Sequence, residues 1–213
     1  PLKNLSPIIY GTKNKFKRIN IDSTKNQNSS LNRLNQDQLI LQCPDDISTY
    51  NDINECSAYI GINLNPVFNT EEVVTLTWEM VGATNDASPE SGINLINEYT
   101  FNEGTTVITY RATDNEGYST SCTFDVIISD NQVPRITRTP NDITISTLPG
   151  ECFAYVDWDE PLGTDNCTPS NHIIWEISEE SGSSFSTGTT TVFIRALDAM
   201  GNESRPASFT ITV

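Results

Sequence analysis

Gly104-Thr105-Thr106-Val107-Ile108-Thr109-Tyr110-Arg111-Ala112-Thr113-Asp114-Asn115-Glu116-Gly117 returns further along the chain as Gly188-Thr189-Thr190-Thr191-Val192-Phe193-Ile194-Arg195-Ala196-Leu197-Asp198-Ala199-Met200-Gly201. In the first copy Ile108, Tyr110 and Ala112 fall on one side and Thr109, Arg111 and Thr113 on the other. In the second, Val192, Ile194 and Ala196 oppose Phe193 and Arg195. A two-residue period is that of a half-buried strand. Each strand ends in a turn that opens with Asp, which accepts backbone N–H bonds, and closes with Gly, which tolerates positive φ. After the turns the alternation resumes through Phe124, Val126 and Ile128 in one copy and Phe209, Ile211 and Val213 in the other. Each copy predicts a β-hairpin.

Two further blocks repeat in the same order. Cys56-Ser57-Ala58-Tyr59-Ile60 matches Cys152-Phe153-Ala154-Tyr155-Val156, each after a Glu, and Thr77-Trp78-Glu79-Met80 matches Ile174-Trp175-Glu176-Ile177. A folding unit written twice accounts for all three. Short β-rich runs separated by Gly, Pro, Asn and Asp, without a sustained helical period, predict an all-β chain of two consecutive immunoglobulin-like antiparallel β-sandwiches. The expected boundaries are an extended basic leader over 1–42, a first sandwich over 43–133 and a second over 134–213. Pro134 marks the hinge, since it has no N–H to donate to a central ladder. Roughly 13 extra residues between Trp78 and Gly104 are expected to form an enlarged surface loop.

Charge divides the chain at the same place. Lys3, Lys13, Lys15, Lys17, Arg18, Lys25 and Arg33 make the leader basic, whereas the remainder has five Arg, no Lys and most of the 28 acidic side chains. A body of that sign repels nucleic acid and anionic lipid, so neither is expected as a partner. No apolar run reaches the length of a membrane span, and the first residues lack the pattern of a signal peptide. The chain starts without Met and stops on Val213, which reads as a portion of something longer. The leader is too poor in apolar residues for its own core and is expected to lean on the first sandwich or on a partner chain, with Lys15–Ile21 as a candidate added strand.

The first copy carries Cys43-Pro44, Cys56, Gly104-Thr105-Thr106-Val107, Ala112-Thr113-Asp114, Gly117 and Cys122; the second carries Cys152, Asp165-Asn166-Cys167, Gly188-Thr189-Thr190-Thr191-Val192, Ala196-Leu197-Asp198 and Gly201-Asn202. With these motifs the chain resembles the hyalin repeat family over about four fifths of its length. The resemblance implies non-catalytic spacer and adhesion modules in large extracellular proteins, with other surface proteins or glycans as partners. It also implies that the first Cys of a repeat pairs with the last, and the second with the Asp-Asn-Cys. Thr139 and Ala207 replace one pair in the second copy, and Thr70 stands where the first would have its Asp-Asn-Cys. The implied bridges are therefore Cys43–Cys122 and Cys152–Cys167, with Cys56 a free thiol, either buried or open to another chain. Bridges of this kind persist in oxidising surroundings and favour a secreted or cell-surface address. The abundance of Asn, Ile and Thr resembles long surface adhesins of gliding bacteria exported by the type 9 pathway.

Catalysis finds no support in the residues. His172 is the one histidine, it lacks a nucleophile motif beside it, and there is no zinc-type Cys or His spacing and no phosphate-binding Gly-rich loop. Calcium is the better chemical candidate, because hard cations take six to eight oxygens and Asp- and Asn-rich loops supply them. Asp130 and Asn131 at the hinge resemble the acidic linkers of calcium-stiffened cadherin tandems, and Asp157, Asp159 and Glu160 precede Pro161; a solvated acidic surface explains the same residues. Trp78 and Trp175 hold equivalent strand positions and read as core. Trp158 is either core or, facing outward, a contact for a sugar, as in an accessory module of a secreted enzyme.

Overall fold

The computed structural model describes residues 39–69 and 73–213. Most of the expected leader, including Lys15–Ile21, lies outside the described residues. The first set of strands is β1 (Leu41–Gln42), β2 (Ile47–Tyr50), β3 (Ser57–Ile60), β4 (Val67–Phe68), β5 (Val73–Gly82), β6 (Asp86–Ala87), β7 (Tyr99–Asn102), β8 (Gly104–Asp114) and β9 (Ser119–Ser129). The second is β10 (Arg135–Arg138), β11 (Ile143–Thr144), β12 (Phe153–Val156), β13 (Leu162–Thr164), β14 (Ile174–Ile177), β15 (Ser183–Ser186), β16 (Thr189–Leu197) and β17 (Ala207–Thr212).

The two sets pair in the same way. A main sheet runs β2-β9-β8-β5-β6 in the first and β11-β17-β16-β14 in the second, with β2 and β11 each lying parallel to the last strand of its module. Opposite it lie the antiparallel pairs β3-β7 and β1-β4 in the first, matched by β12-β15 and β10-β13 in the second. Only β6 has no counterpart. It belongs to the extra residues of the first copy, which turn back along β5 instead of forming a free loop: Ser88 donates to the Trp78 carbonyl, and the Asn94 amide donates to the carbonyls of Leu76, Pro89 and Ser91. The Tyr99 hydroxyl donates to Asp86 in this insertion, and that bond pushes its pKa up to about 12.

The alternation read in the hairpins is the alternation of burial. Ile108, Tyr110, Ala112 and Val126 are fully enclosed in one core, and Val192, Ile194, Ala196 and Ile211 are as deep in the second module. Two apolar clusters result, one gathered around Leu76, Phe101, Ile108 and Ile128 and the other around Val156, Phe185, Ile194 and Phe209. Tyr110 is admitted to the first because its hydroxyl donates to Asn65 Oδ1 at 3.2 Å. Burial pushes that hydroxyl's pKa well up, so it stays a donor. Gly82 is dictated by close approach: φ is +126°, and a Cβ there would sit 2.3 Å from the Thr105 carbonyl oxygen.

The boundary expected at residue 43 falls too late. Leu39 and Leu41 are buried in the first core, and β1 pairs with β4, so the last residues of the expected leader complete the first sandwich. Truncating one enclosed side chain tests the account of the second core: Ile194→Ala is expected to lower stability by about 2–5 kcal/mol in urea denaturation, from lost burial plus the cavity left behind.

Candidate functional site at the joint between the modules

Cys43 and Cys122 are joined within the first module, with Cα atoms 5.7 Å apart. Cys167 is bonded not to Cys152, as the resemblance implied, but to Cys56 of the first module, with Cα atoms 4.8 Å apart. Cys152 is the free thiol, and it is exposed. The reason is positional. Cys167 sits in the loop after β13, which meets the end of the first module, where Cys56 precedes β3. The second repeat therefore supplies the partner that Thr70 fails to supply in the first. Each bridge spans a residue of the other, since Cys56 lies between Cys43 and Cys122 in sequence.

Around this bridge three turns converge, each built by an Asp that accepts backbone N–H bonds. Asp130, just past β9, accepts from Gln132 N at 3.0 Å. Asp165 accepts from Cys167 N at 3.0 Å and Thr168 N at 2.9 Å through Oδ2. Asp198, in the hairpin turn between β16 and β17, accepts from Met200 N at 2.9 Å and Asn202 N at 2.8 Å through Oδ1. One carboxylate oxygen from each of the three lies within 4.8 Å of the others. Asp130 and Asp198 are 5% and 2% exposed, and Asp165 is half-buried.

Asparagines bind the two sides together. Asn51, at the end of β2, donates through Nδ2 to the Glu55 carbonyl at 2.8 Å and to Asp130 Oδ1 at 2.9 Å. Asn166 reaches across from the second module to the same two acceptors, at 3.0 and 3.3 Å, and Asn202 Nδ2 donates to the Asp130 carbonyl at 3.3 Å. Three buried oxygens remain without a donor: Asp130 Oδ2, Asp165 Oδ1 and Asn51 Oδ1. Among the described residues the ion pair Arg195–Glu203 is the only one, and it takes no part in the joint. Carboxylates gathered away from water require a counter-charge, and no basic side chain among the described residues supplies it.

A model of the HYR domain matches residues 67–128 and again 129–213. The chain belongs to the HYR-domain family. It is 35% identical over 115 residues to hyalin of Strongylocentrotus purpuratus, covering 53% of this chain and 9% of hyalin. It is also 29% identical over 136 residues to the mouse sushi, von Willebrand factor type A, EGF and pentraxin domain-containing protein 1, covering 62% of this chain and 4% of that protein. The chain thus spans less than a tenth of these relatives' length. Among solved structures, the first four cadherin domains of protocadherin gamma B7 align over 82% of this chain and 50% of that one, at 13% identity and a TM-score of 0.34, too distant a likeness to carry function across. As an HYR tandem, this segment is a non-catalytic extracellular module of adhesion or structural type.

The other candidates settle elsewhere in the HYR pair. Of the expected metal ligands, only Asp130 belongs to the cluster; Asn131 is exposed, and Asp157, Asp159 and Glu160 are exposed around a shallow depression shared with Arg138 and Asn141. Trp158 is half-buried, its ring 5.3 Å from Phe209 and 6.0 Å from Phe185, so most of its face is turned into the second core. Trp78 and Trp175 pack on their own cores. His172 lies in a short 3-10 turn with no buried residue. Asp165 and Asp198 were missed as joint residues because one reads as part of a cysteine motif and the other as a turn former.

Cys152 occupies the turn of the second module that is equivalent to the Cys56 turn of the first. Leu148 N donates to the Phe153 carbonyl and Glu151 N to the Leu148 carbonyl, as Asp52 N does to Ser57 and Glu55 N to Asp52. Non-reducing peptide mapping after alkylation of the folded protein is expected to tag Cys152 alone and to recover the Cys56 and Cys167 peptides linked; a Cys152–Cys167 peptide would contradict this joint.

Proposed function

We propose that this HYR pair is a tension-transmitting spacer in a long surface protein, a stalk segment of an adhesin, whose joint is held closed. The observation that carries the reading is the Cys56–Cys167 bridge, which joins one module covalently to the next across the linker 130–134. A chain pulled from its ends transmits force along the shortest covalent path. That path crosses from Cys56 to Cys167 and leaves the intervening residues, a sequence separation of 111, off the line of tension.

Two features support an array of such joints. The exposed thiol of Cys152 sits in a turn with the same backbone hydrogen bonds as that of Cys56, so a following module with a cysteine placed like Cys167 would be joined in the same manner. The three carboxylates of the joint further suit a divalent cation, and Ca2+ is the cofactor this reading takes. The composition, rich in Asn, Ile and Thr, favours a bacterial surface adhesin as the parent protein.

Single-molecule stretching tests the spacer reading. Under oxidising conditions the extended length is expected to fall short of the reduced length by roughly 37–40 nm, the reach of the residues shielded by the bridge. Equal lengths with and without reductant would overturn it.

A further inference from the structure

We propose that Asp130, Asp165 and Asp198, together with Asn51, form one calcium site shared between the two modules, and that its affinity is set by the Cys56–Cys167 bridge. The proposal rests on the reading of the joint as a closed one and adds how that closure is regulated.

The donor set is all oxygen. Cys56 and Cys167 are consumed in the disulfide and no histidine lies in the cluster, which disfavours zinc and copper and favours a hard cation. The orphaned atoms are the ones a cation would take. Asp130 is 95% buried by residue surface, commits Oδ1 to the amides of Asn51 and Asn166, and leaves Oδ2 without any donor. Asp165 commits Oδ2 to the backbone of its own turn and leaves Oδ1 bare. Asn51 is itself buried, and its amide is fixed by two donations through Nδ2, so its oxygen is the end left over. Asp198 adds a third carboxylate.

Oxygens on opposite sides of Ca2+ lie about 4.6–5.2 Å apart, twice its usual bond length, whereas those around Mg2+ lie about 4.0–4.2 Å apart. The trio, with its oxygens all within 4.8 Å of one another, lies inside the span that opposite ligands of Ca2+ cover. The equivalent turn of the first module makes the contrast: Asp114 accepts from Glu116 N and Tyr118 N as Asp198 does from its own turn, yet among the described residues no trio forms around it. The hairpin turn alone does not make the site; the meeting of two modules does.

Ownership of the ligands supplies the coupling. Asn51 and Asp130 belong to the first module and the linker, Asp165 and Asp198 to the second, so no module holds the ion by itself. Cys167 follows Asp165 by two residues, and the Asn51 amide reaches to 3.6 Å from its sulfur, so the bridge pins the very loop that carries one carboxylate. With the bridge closed, the ligands are gathered before the ion arrives; with it open, ion binding must also close the joint. Linkage is reciprocal: if the bridge strengthens calcium binding, calcium resists opening of the bridge by the same factor.

The test uses the full oxidised chain stripped of metal, titrated with CaCl2 by calorimetry, beside a Cys56→Ser/Cys167→Ser variant and Asp165→Asn. The oxidised chain is expected to bind one Ca2+ at the joint, Asp165→Asn to lose it, and the bridge-less variant to bind about 5- to 150-fold more weakly, the ordinary range of such coupling. A second measurement needs no variant: during reduction by dithiothreitol, which delivers two electrons and two protons to each bridge, Ca2+ is expected to protect Cys56–Cys167 and leave the reduction of Cys43–Cys122 unchanged. Equal calcium affinity with and without the bridge, or protection of neither bridge, overturns the coupling. Absence of calcium binding by the oxidised chain overturns the site as well, while the stretching experiment judges the spacer reading separately.

Discussion

The joint is governed by one constraint, that three carboxylates and two asparagine amides must be reconciled in a space largely closed to water. Asp130 and Asp198 are almost wholly enclosed, and enclosure makes every unpartnered oxygen costly. The amides of Asn51 and Asn166 both turn their donors to the same two acceptors, the Glu55 carbonyl and Asp130 Oδ1. This convergence fixes the angle at which the second module meets the first, because the acceptors belong to one module and half of the donors to the other. The covalent bridge between Cys56 and Cys167 holds the same contact shut.

From that constraint the rest of the tandem takes its sense. Each sandwich is a modest core, and the first is reinforced by Cys43–Cys122 closing a loop with a sequence separation of 79. The second has lost the corresponding pair, with Thr139 and Ala207 in those places, and instead sends its remaining loop cysteine outward to its neighbour. Stability that an isolated repeat would keep to itself is thereby moved into the contact between repeats, which is how an array gains stiffness along its length. This HYR pair covers 9% of one such long relative and 4% of another.

Most of the fold was legible because its signal is local. The alternation of Ile108, Tyr110 and Ala112, and of Val192, Ile194 and Ala196, is a property of adjacent residues, and each of these side chains is fully buried. The turns at Asp114 and Asp198 were legible for the same reason. What escaped was relational. The partner of Cys167 depends on which module its loop faces, and no spacing within a repeat encodes that, so a pairing rule confined to single repeats chose Cys152. The acidic groups divide alike: Asp157, Asp159 and Glu160 are neighbours in sequence and exposed, whereas Asp130, Asp165 and Asp198 are far apart in sequence and meet only because the modules dock. Asp130 is the one member of that cluster the sequence also offered, since the hinge itself could be seen.

Whether the two modules move as one body is directly measurable. Residual dipolar couplings of backbone amides, measured on the oxidised chain with calcium present, report the alignment of each sandwich separately. A closed joint predicts a single alignment tensor that fits both sets of strands. Two tensors of different magnitude or orientation would mean that the modules swing independently, and the account of the joint would fail.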